Sequence, residues 1–182
     1  MWPWGHAAVG YLLYSLFSRA TRREPPSDAT ALIMLLGTQL PDLIDKPLAW
    51  SVHILPTGRS LGHSLFTALV ILLAGRAIFR YVGHRELTVP FAIGHLSGIL
   101  TDLPVSVLSG DFSRATFLLW PYLPSPTYQL EPSFIAHLQA LTLTPYLALQ
   151  FVLGCLMLGL WVLDGTPGLA IFAEVRGNWR QK

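Results

Sequence analysis

The chain has 182 residues, enough for one domain with a sizeable core. Hydrophobic residues make up 52% and charged residues only 12%, against about 25% charged in soluble domains, so lipid rather than water is the expected main solvent. A formal charge of +2, with Lys and Arg dispersed rather than striped along one helix, argues against a nucleic-acid partner.

Cys155 is the only cysteine, so no intrachain disulfide is expected, and its apolar surroundings suit a packing role. The start of the chain, Met1-Trp-Pro-Trp-Gly-His6, has neither a basic n-region nor a cleavage pattern, and the first hydrophobic stretch is expected to stay in the protein. Five apolar segments follow in order: 4–18, 29–40, 60–79, 89–108 and 143–163. The last three reach the roughly 20 residues a spanning helix needs, and the first two are shorter. The expected fold is all-α, a single membrane-embedded domain over 1–182 with about five spans. Asp28 is a candidate N-cap. Pro41 is expected to end the second segment, and Pro104 to kink the fourth. Pro90 and Pro145 suit helix starts, where a missing N–H costs little. The stretch 109–133, rich in Pro, Ser and aromatics, is expected to be an extracytoplasmic loop at the interface, with Trp120, Tyr122 and Tyr128 in an aromatic belt. No internal repeat is evident.

With five spans and the N-terminus outside, Arg19, Arg22, Arg23, Arg76, Arg80, Arg85, Arg176, Arg180 and Lys182 fall inside, while Lys46, Arg59 and Arg114 fall outside. That asymmetry favours N-out, C-in in a cell membrane. The same topology brings His6, Asp42, Asp45, His63 and Asp102, from four segments, to one depth near the outer face.

Each of these residues has a plain alternative. Asp42 and Asp45 share a face if helical and can bind a cation; either alone is equally well a loop carboxylate facing water. His63 can offer a neutral imidazole nitrogen, or cap a helix. Arg59 can clamp an anion such as a phosphate, or sit as an interfacial Arg. Asp102 inside a membrane segment is a functional-site candidate by default. His95, two helical turns from Asp102 on the same face, is as readily a hydrogen-bonded core histidine. Gly94 and Gly98 form a small-xxx-small pair that signals close helix packing. His137 reads as an interfacial histidine, and His53 and His84 have no supporting context. Histidine and carboxylate without thiolate suit Zn, Mn or a related divalent ion. With Arg59 on the substrate, this is the donor set of metal-assisted hydrolysis. No nucleophile elbow, P-loop or His-Glu-x-x-His motif is present.

His6, the Gly37-to-Asp45 block with its Leu-Pro-Asp, the Arg59-to-Ser64 block and the Gly94-to-Asp102 block occur in that order. This arrangement resembles the YdjM-like family of membrane-bound, metal-dependent hydrolases, LexA-regulated inner-membrane proteins, in an archaeal-type branch. The resemblance implies a metal site at His6, Asp42, His63 and Asp102; the residues themselves add Asp45 as a further ligand or, if not engaged by metal, the general base, and Arg59 as the clamp on the substrate anion. By analogy with the all-helical zinc-dependent phospholipase C and single-strand nuclease group, it also implies a phosphoester or lipid-like substrate. The pattern departs at three places. The second Asp of Pro-Asp-x-Asp comes one residue late, as Asp45. Gly58 replaces the first His of His-Arg-Gly-x-Thr-His-Ser. Gly98 replaces the His of Ser-His-x-x-x-Asp, with a histidine three residues earlier at 95. The site is then rearranged, or binds fewer metals, or has lost catalysis. The last case leaves a non-enzymatic scaffold binding a lipid or protein partner. A transporter using Asp102 and His95 is a third reading, disfavoured by the lack of repeat symmetry.

Overall fold

The computed structural model describes residues 1–126, 134–139 and 141–170. Its described residues form helices and turns without strands. Five long helices, α1 (Pro3–Arg22), α2 (Asp28–Trp50), α3 (Leu65–Tyr81), α4 (Thr88–Thr101) and α6 (Pro145–Leu163), accompany a short α5 (Phe134–Gln139). Local chemistry sets the ends. Pro3 and Pro145 occupy first-turn positions. The side chains of Ser27, Ser64 and Thr144 accept from the backbone N–H of Thr30, Phe66 and Leu147. Asp28 is therefore not the cap: it is the first residue of α2, and its carboxylate accepts from the Gly168 N–H instead.

Two expectations about proline are corrected. Pro41 does not end the second segment; α2 runs through Pro41 and Pro47 to Trp50. Pro41 has no N–H for the carbonyl four residues back, Gly37. The buried His95 ring faces that carbonyl, outside normal hydrogen-bond geometry. Pro104 does not kink a span, because α4 has already ended at Thr101 with Asp102 as its C-cap. The 60–64 stretch likewise belongs to a connector, and α3 begins only at Leu65.

Successive long helices alternate in direction. The start of α1, the end of α2, the start of α3, the end of α4 and the start of α6 share one end of the bundle. There the Trp2 N–H donates to Gln150 of α6 at 2.9 Å, and the Tyr146 hydroxyl reaches the Thr101 carbonyl at 3.4 Å. At the far end, Asp164 closes α6 onto α1. It accepts from the Tyr11 and Ser15 hydroxyls at 2.7 Å each and from Arg19 Nε at 3.0 Å.

The most extensive helix contact is between α2 and α4, and glycine makes it possible. A Cβ at Gly94 would lie 2.1 Å from the Met34 carbonyl oxygen, one at Gly98 2.5 Å from that of Thr38, and one at Gly37 2.7 Å from that of Phe91. The obstacles are backbone, so the helices cannot approach this closely with any side chain there.

Polar groups are inside and apolar groups outside. His6, Thr38, Asp42, Asp45, Ser60, His63, Ser64, His95, Ser97, Asp102 and Gln150 are all buried. Large apolar residues are exposed on every long helix, among them Leu16, Leu36, Leu69, Val70, Leu100, Leu149 and Val162. A soluble domain reverses this arrangement. Among the described residues only α6 is by itself long and apolar enough to cross a membrane. The fourteen residues of α4 extend about 21 Å at about 1.5 Å per residue, short of a hydrocarbon core of about 30 Å.

Candidate metal centre

Four side chains meet at the end of the bundle where α1 starts. His6 lies in the first turns of α1, and Asp42 in the second half of α2. His63 belongs to the connector before α3, and Asp102 caps α4. His6 Nε2 is 3.6 Å from Asp42 Oδ2 and 3.7 Å from Asp102 Oδ1. His63 Nε2 is 3.7 Å from Asp42 Oδ1 and 3.1 Å from Asp102 Oδ2. The candidate ligand atoms of His6, Asp42 and Asp102 lie within 4.8 Å of one another, and all three residues are buried. Donor atoms about 2.1 Å from one tetrahedral ion stand about 3.4 Å apart, close to the spacings here.

The bonds behind the ligands orient them. The Thr101 hydroxyl is placed to donate to the Ser97 and Gly98 carbonyls, at 2.8 and 3.1 Å, and while it does so it accepts from His6 Nδ1, 2.7 Å away. In that arrangement His6 carries its proton on Nδ1, which turns the Nε2 lone pair inward. That buried Nε2 and the buried Asp42 Oδ1 have no hydrogen-bond partner, and orphan pairs of this kind are costly unless a ligand completes them. Asp45 treats His63 in the same way: its Oδ2 is 2.8 Å from Nδ1, leaving Nε2 toward Asp42 and Asp102. Asp45 also accepts the N–H groups of Ser60 (2.7 Å), Gly62 (2.7 Å) and His63 (3.2 Å). Its oxygens therefore fasten the 60–63 connector and face away from the centre. Thr101→Val, which removes the acceptor and keeps the shape, is expected to weaken divalent-cation binding about 10- to 100-fold. A metal titration of the purified variant measures this, and Thr101→Ser should restore it.

Cations and an aromatic surround the carboxylates. Lys46 Nζ lies 2.5 Å from Asp42 Oδ2 and stands over the Trp50 ring, 5.7 Å from its centroid. Arg59 Nη2 is 3.1 Å from Asp102 Oδ1, and the Met1 ammonium pairs with the same oxygen. Phe117, fully buried, stands edge-on to His63 with centroids 6.0 Å apart. The segment carrying it is anchored by Ser64 Oγ donating to the Trp120 carbonyl at 2.6 Å and Ser125 Oγ donating to the Arg59 carbonyl at 3.1 Å. Phe117, Trp120 and Ser125 thus tie the 117–125 segment to the His63 side of the centre. Tyr128 and the rest of the expected loop, to residue 133, lie outside the described residues.

The other sequence candidates are elsewhere. His95 is fully buried and stacked on Phe91, with centroids 6.0 Å apart, deeper in the bundle. His53 is exposed against the Ala49 carbonyl, and His84 is exposed beside Glu86. His137 falls in α5, but its side chain is outside the described residues. Sequence reasoning missed Thr101 and Lys46. The (i, i+4) spacing of Asp42 and Lys46 was the available signal for the second; nothing marked the first.

The two glycines that stand where a histidine was expected have physical accounts. Gly58 lies against Trp50, whose Nε1 would be 3.3 Å from an added Cβ. At Gly98 no side chain fits beneath the Thr38 carbonyl.

Fold and site together define an all-helical protein with an apolar exterior and a buried His/Asp centre at one end. The YdjM inner membrane protein family matches residues 1–171, and the chain belongs to that family. No curated protein and no solved structure matches it.

Proposed function

We propose that this protein is a multi-pass membrane hydrolase that uses one divalent cation, Zn or Mn, to cleave a phosphoester or lipid-like substrate near the extracytoplasmic face. The observation that carries the proposal is the inward aim of two histidine Nε2 lone pairs and two carboxylates, with His6 Nε2 and Asp42 Oδ1 otherwise unpartnered. The donor set suits Zn or Mn. A divalent cation in such a site polarises a phosphoryl oxygen and activates water near neutral pH. His6, Asp42, His63 and Asp102 would hold it. Thr101 and Asp45 keep the two imidazoles in the ligating tautomer. Arg59, about a third exposed, orients the substrate anion. Phe117 limits water at the His63 edge. Five spans are supported by the alternating helices and their exposed apolar faces, and the N-out, C-in orientation by the distribution of Lys and Arg in the sequence. The test is turnover of a chromogenic phosphodiester by the detergent-purified protein. Activity is expected only with Mn²⁺ or Zn²⁺ present, and is expected to vanish in His63→Ala with Asp42→Ala. Stoichiometric metal without any turnover across a phosphoester and lipid panel would leave the hydrolase reading without support.

One observation favours a second reading, a non-catalytic scaffold. The Met1 ammonium, Lys46, Arg59 and a protonated His63 can compensate Asp42, Asp45 and Asp102 with no metal at all. Burial disfavours the His63 imidazolium, but hydrogen bonds to Asp102 and Asp45 outweigh it and raise its pKa to about 9. Its folded value lies above the unfolded one of about 6.5. The stabilisation, about 3 kcal/mol, is therefore full below pH 6.5 and is lost as pH rises through about 9. Thermal unfolding of metal-free protein should show that decline, and His63→Gln should flatten it. A flat profile in the unsubstituted protein would exclude the metal-free network.

A further inference from the structure

A cleft of about 290 Å³ runs along α1 between α2 and α6. Its walls come from the first turns of α2, the last turns of α6 and the 167–169 segment beyond it. Most of it therefore lies on the half of the bundle opposite the His/Asp centre. It exists because α1 packs against both α2 and α6, whereas no comparable contact joins α2 to α6 among the described residues. The floor, Tyr11, Ala31 and Met34, is buried; on the rims Leu35 is 40% exposed, Leu158 53% and Leu169 50%. The Tyr11 hydroxyl donates to Asp164 at 2.7 Å, and Trp161 Nε1 donates to the Pro167 carbonyl at 3.0 Å. Both rings are left with apolar surface for the cleft, and no lining side chain offers it a free N–H or O–H.

What fills the cleft follows from its surroundings. The chain belongs to an inner membrane protein family, and the rims continue into exposed apolar residues such as Leu36 and Leu156. The medium that meets the cleft is then lipid hydrocarbon, and the lining is compatible with it. A partner helix, about 10–12 Å across, exceeds the volume of the cleft within a single turn of about 5.4 Å, whereas a flexible acyl chain is slender enough to lie along it. The charge at the near end adds a second argument. The Gly168 N–H donates to Asp28, which brings the 167–169 segment to the start of α2. Among the described residues at that end of the bundle, Arg19, Arg22, Arg23, Arg76, Arg80 and Arg85 stand against Glu24, Asp28, Glu86 and Asp164, an excess of two positive charges with His84 neutral. Excess basic charge at the depth of the headgroups attracts anionic lipid.

We infer that this cleft holds one acyl chain of an anionic phospholipid from the leaflet opposite the His/Asp centre, with the headgroup at the arginine-rich end. The bound chain fills the space where α2 and α6 do not pack, and so braces α6, which otherwise rests on α1. This lipid is a resident ligand rather than a substrate, and its site needs no metal, so the inference stands apart from the hydrolase reading.

The experiment incubates the detergent-purified full chain with phosphatidylglycerol and phosphatidylcholine of identical acyl chains and weighs the complexes by native mass spectrometry. The chain should retain one phosphatidylglycerol, with about tenfold preference over phosphatidylcholine, and that lipid should raise its melting temperature. Leu35→Trp on the rim and Ala31→Phe on the floor occupy the cleft, and each should cut retention about tenfold or more. Should Ala31→Phe fail to fold, Leu35→Trp decides alone, since its position is already 40% exposed. Leu36→Trp, one residue away and outside the cleft, should retain lipid as the parent does, and so should His63→Ala. Retention in Leu35→Trp equal to the parent's overturns the site. Equal retention of the two lipids overturns the headgroup assignment. Loss of retention in His63→Ala makes the lipid a ligand of the His/Asp centre and overturns a separate site. A lipid-free dimer that Leu35→Trp disrupts assigns the cleft to a second copy of the chain and overturns the inference.

Discussion

His63→Ala is expected to lower divalent-cation affinity by about 100-fold or more, and the double variant with Asp42→Ala to abolish stoichiometric binding. Loss of a group that merely orients a ligand costs about 10- to 100-fold, and loss of a ligand itself should reach or pass the upper end. His63 Nε2 stands within 3.7 Å of Asp42 and 3.1 Å of Asp102, so its removal opens one side of the centre. Truncation also leaves Asp45 Oδ2 without its side-chain partner, though the N–H groups of Ser60, Gly62 and His63 still satisfy that carboxylate. The connector should therefore keep its shape, and the loss should appear in metal content and titration rather than in helical circular dichroism. If His63→Ala retained full Mn²⁺ affinity, these four residues would not be the site.

Gly94→Ala is expected to destabilise the protein by about 3 kcal/mol or more, at the top of the range for overpacking. The new Cβ would meet the Met34 carbonyl oxygen at 2.1 Å, and no rotamer of a neighbour can relieve a clash with backbone. The helices α2 and α4 must part by an ångström or so. Because Asp42 and Asp102 are carried by those two helices, their oxygens separate as well, so metal affinity should fall with melting temperature. Gly154→Ala and Gly159→Ala supply the comparison, since nothing lies within 4 Å of a Cβ at either position. Both are expected to stay within about 1 kcal/mol of the parent. Thermal unfolding in detergent checks all three, and equal losses at all sites would contradict the close α2–α4 approach.

Much of this arrangement was legible in the chain because it follows from charge and hydropathy. Basic residues clustered at alternate segment ends, and that alone put His6, Asp42, Asp45, His63 and Asp102 at one end. The glycine pair at 94 and 98 announced a close helix contact, though not its partner. Other features depended on contacts no local pattern encodes. The extension of α2 through Pro41 is not written in the local sequence, and neither is the close approach of Gly37 to the Phe91 and His95 backbone of α4. The roles of Asp42 and Asp45 looked alike at three-residue spacing. They diverge because the 60–63 connector, distant in sequence, presents three N–H groups to Asp45 only. Thr101 was invisible because its importance lies in which way its single proton points.

The four inward side chains are mounted on unequal supports. Asp42 and Asp102 ride on α2 and α4, which the glycine contact locks into one stave. His6 arrives on α1, and His63 on a connector tied down by Asp45. An ion held among them would act as a rivet through three separately tethered parts. The first thing chelation would loosen is then not the bundle but the joint between α1, the connector and the α2–α4 stave.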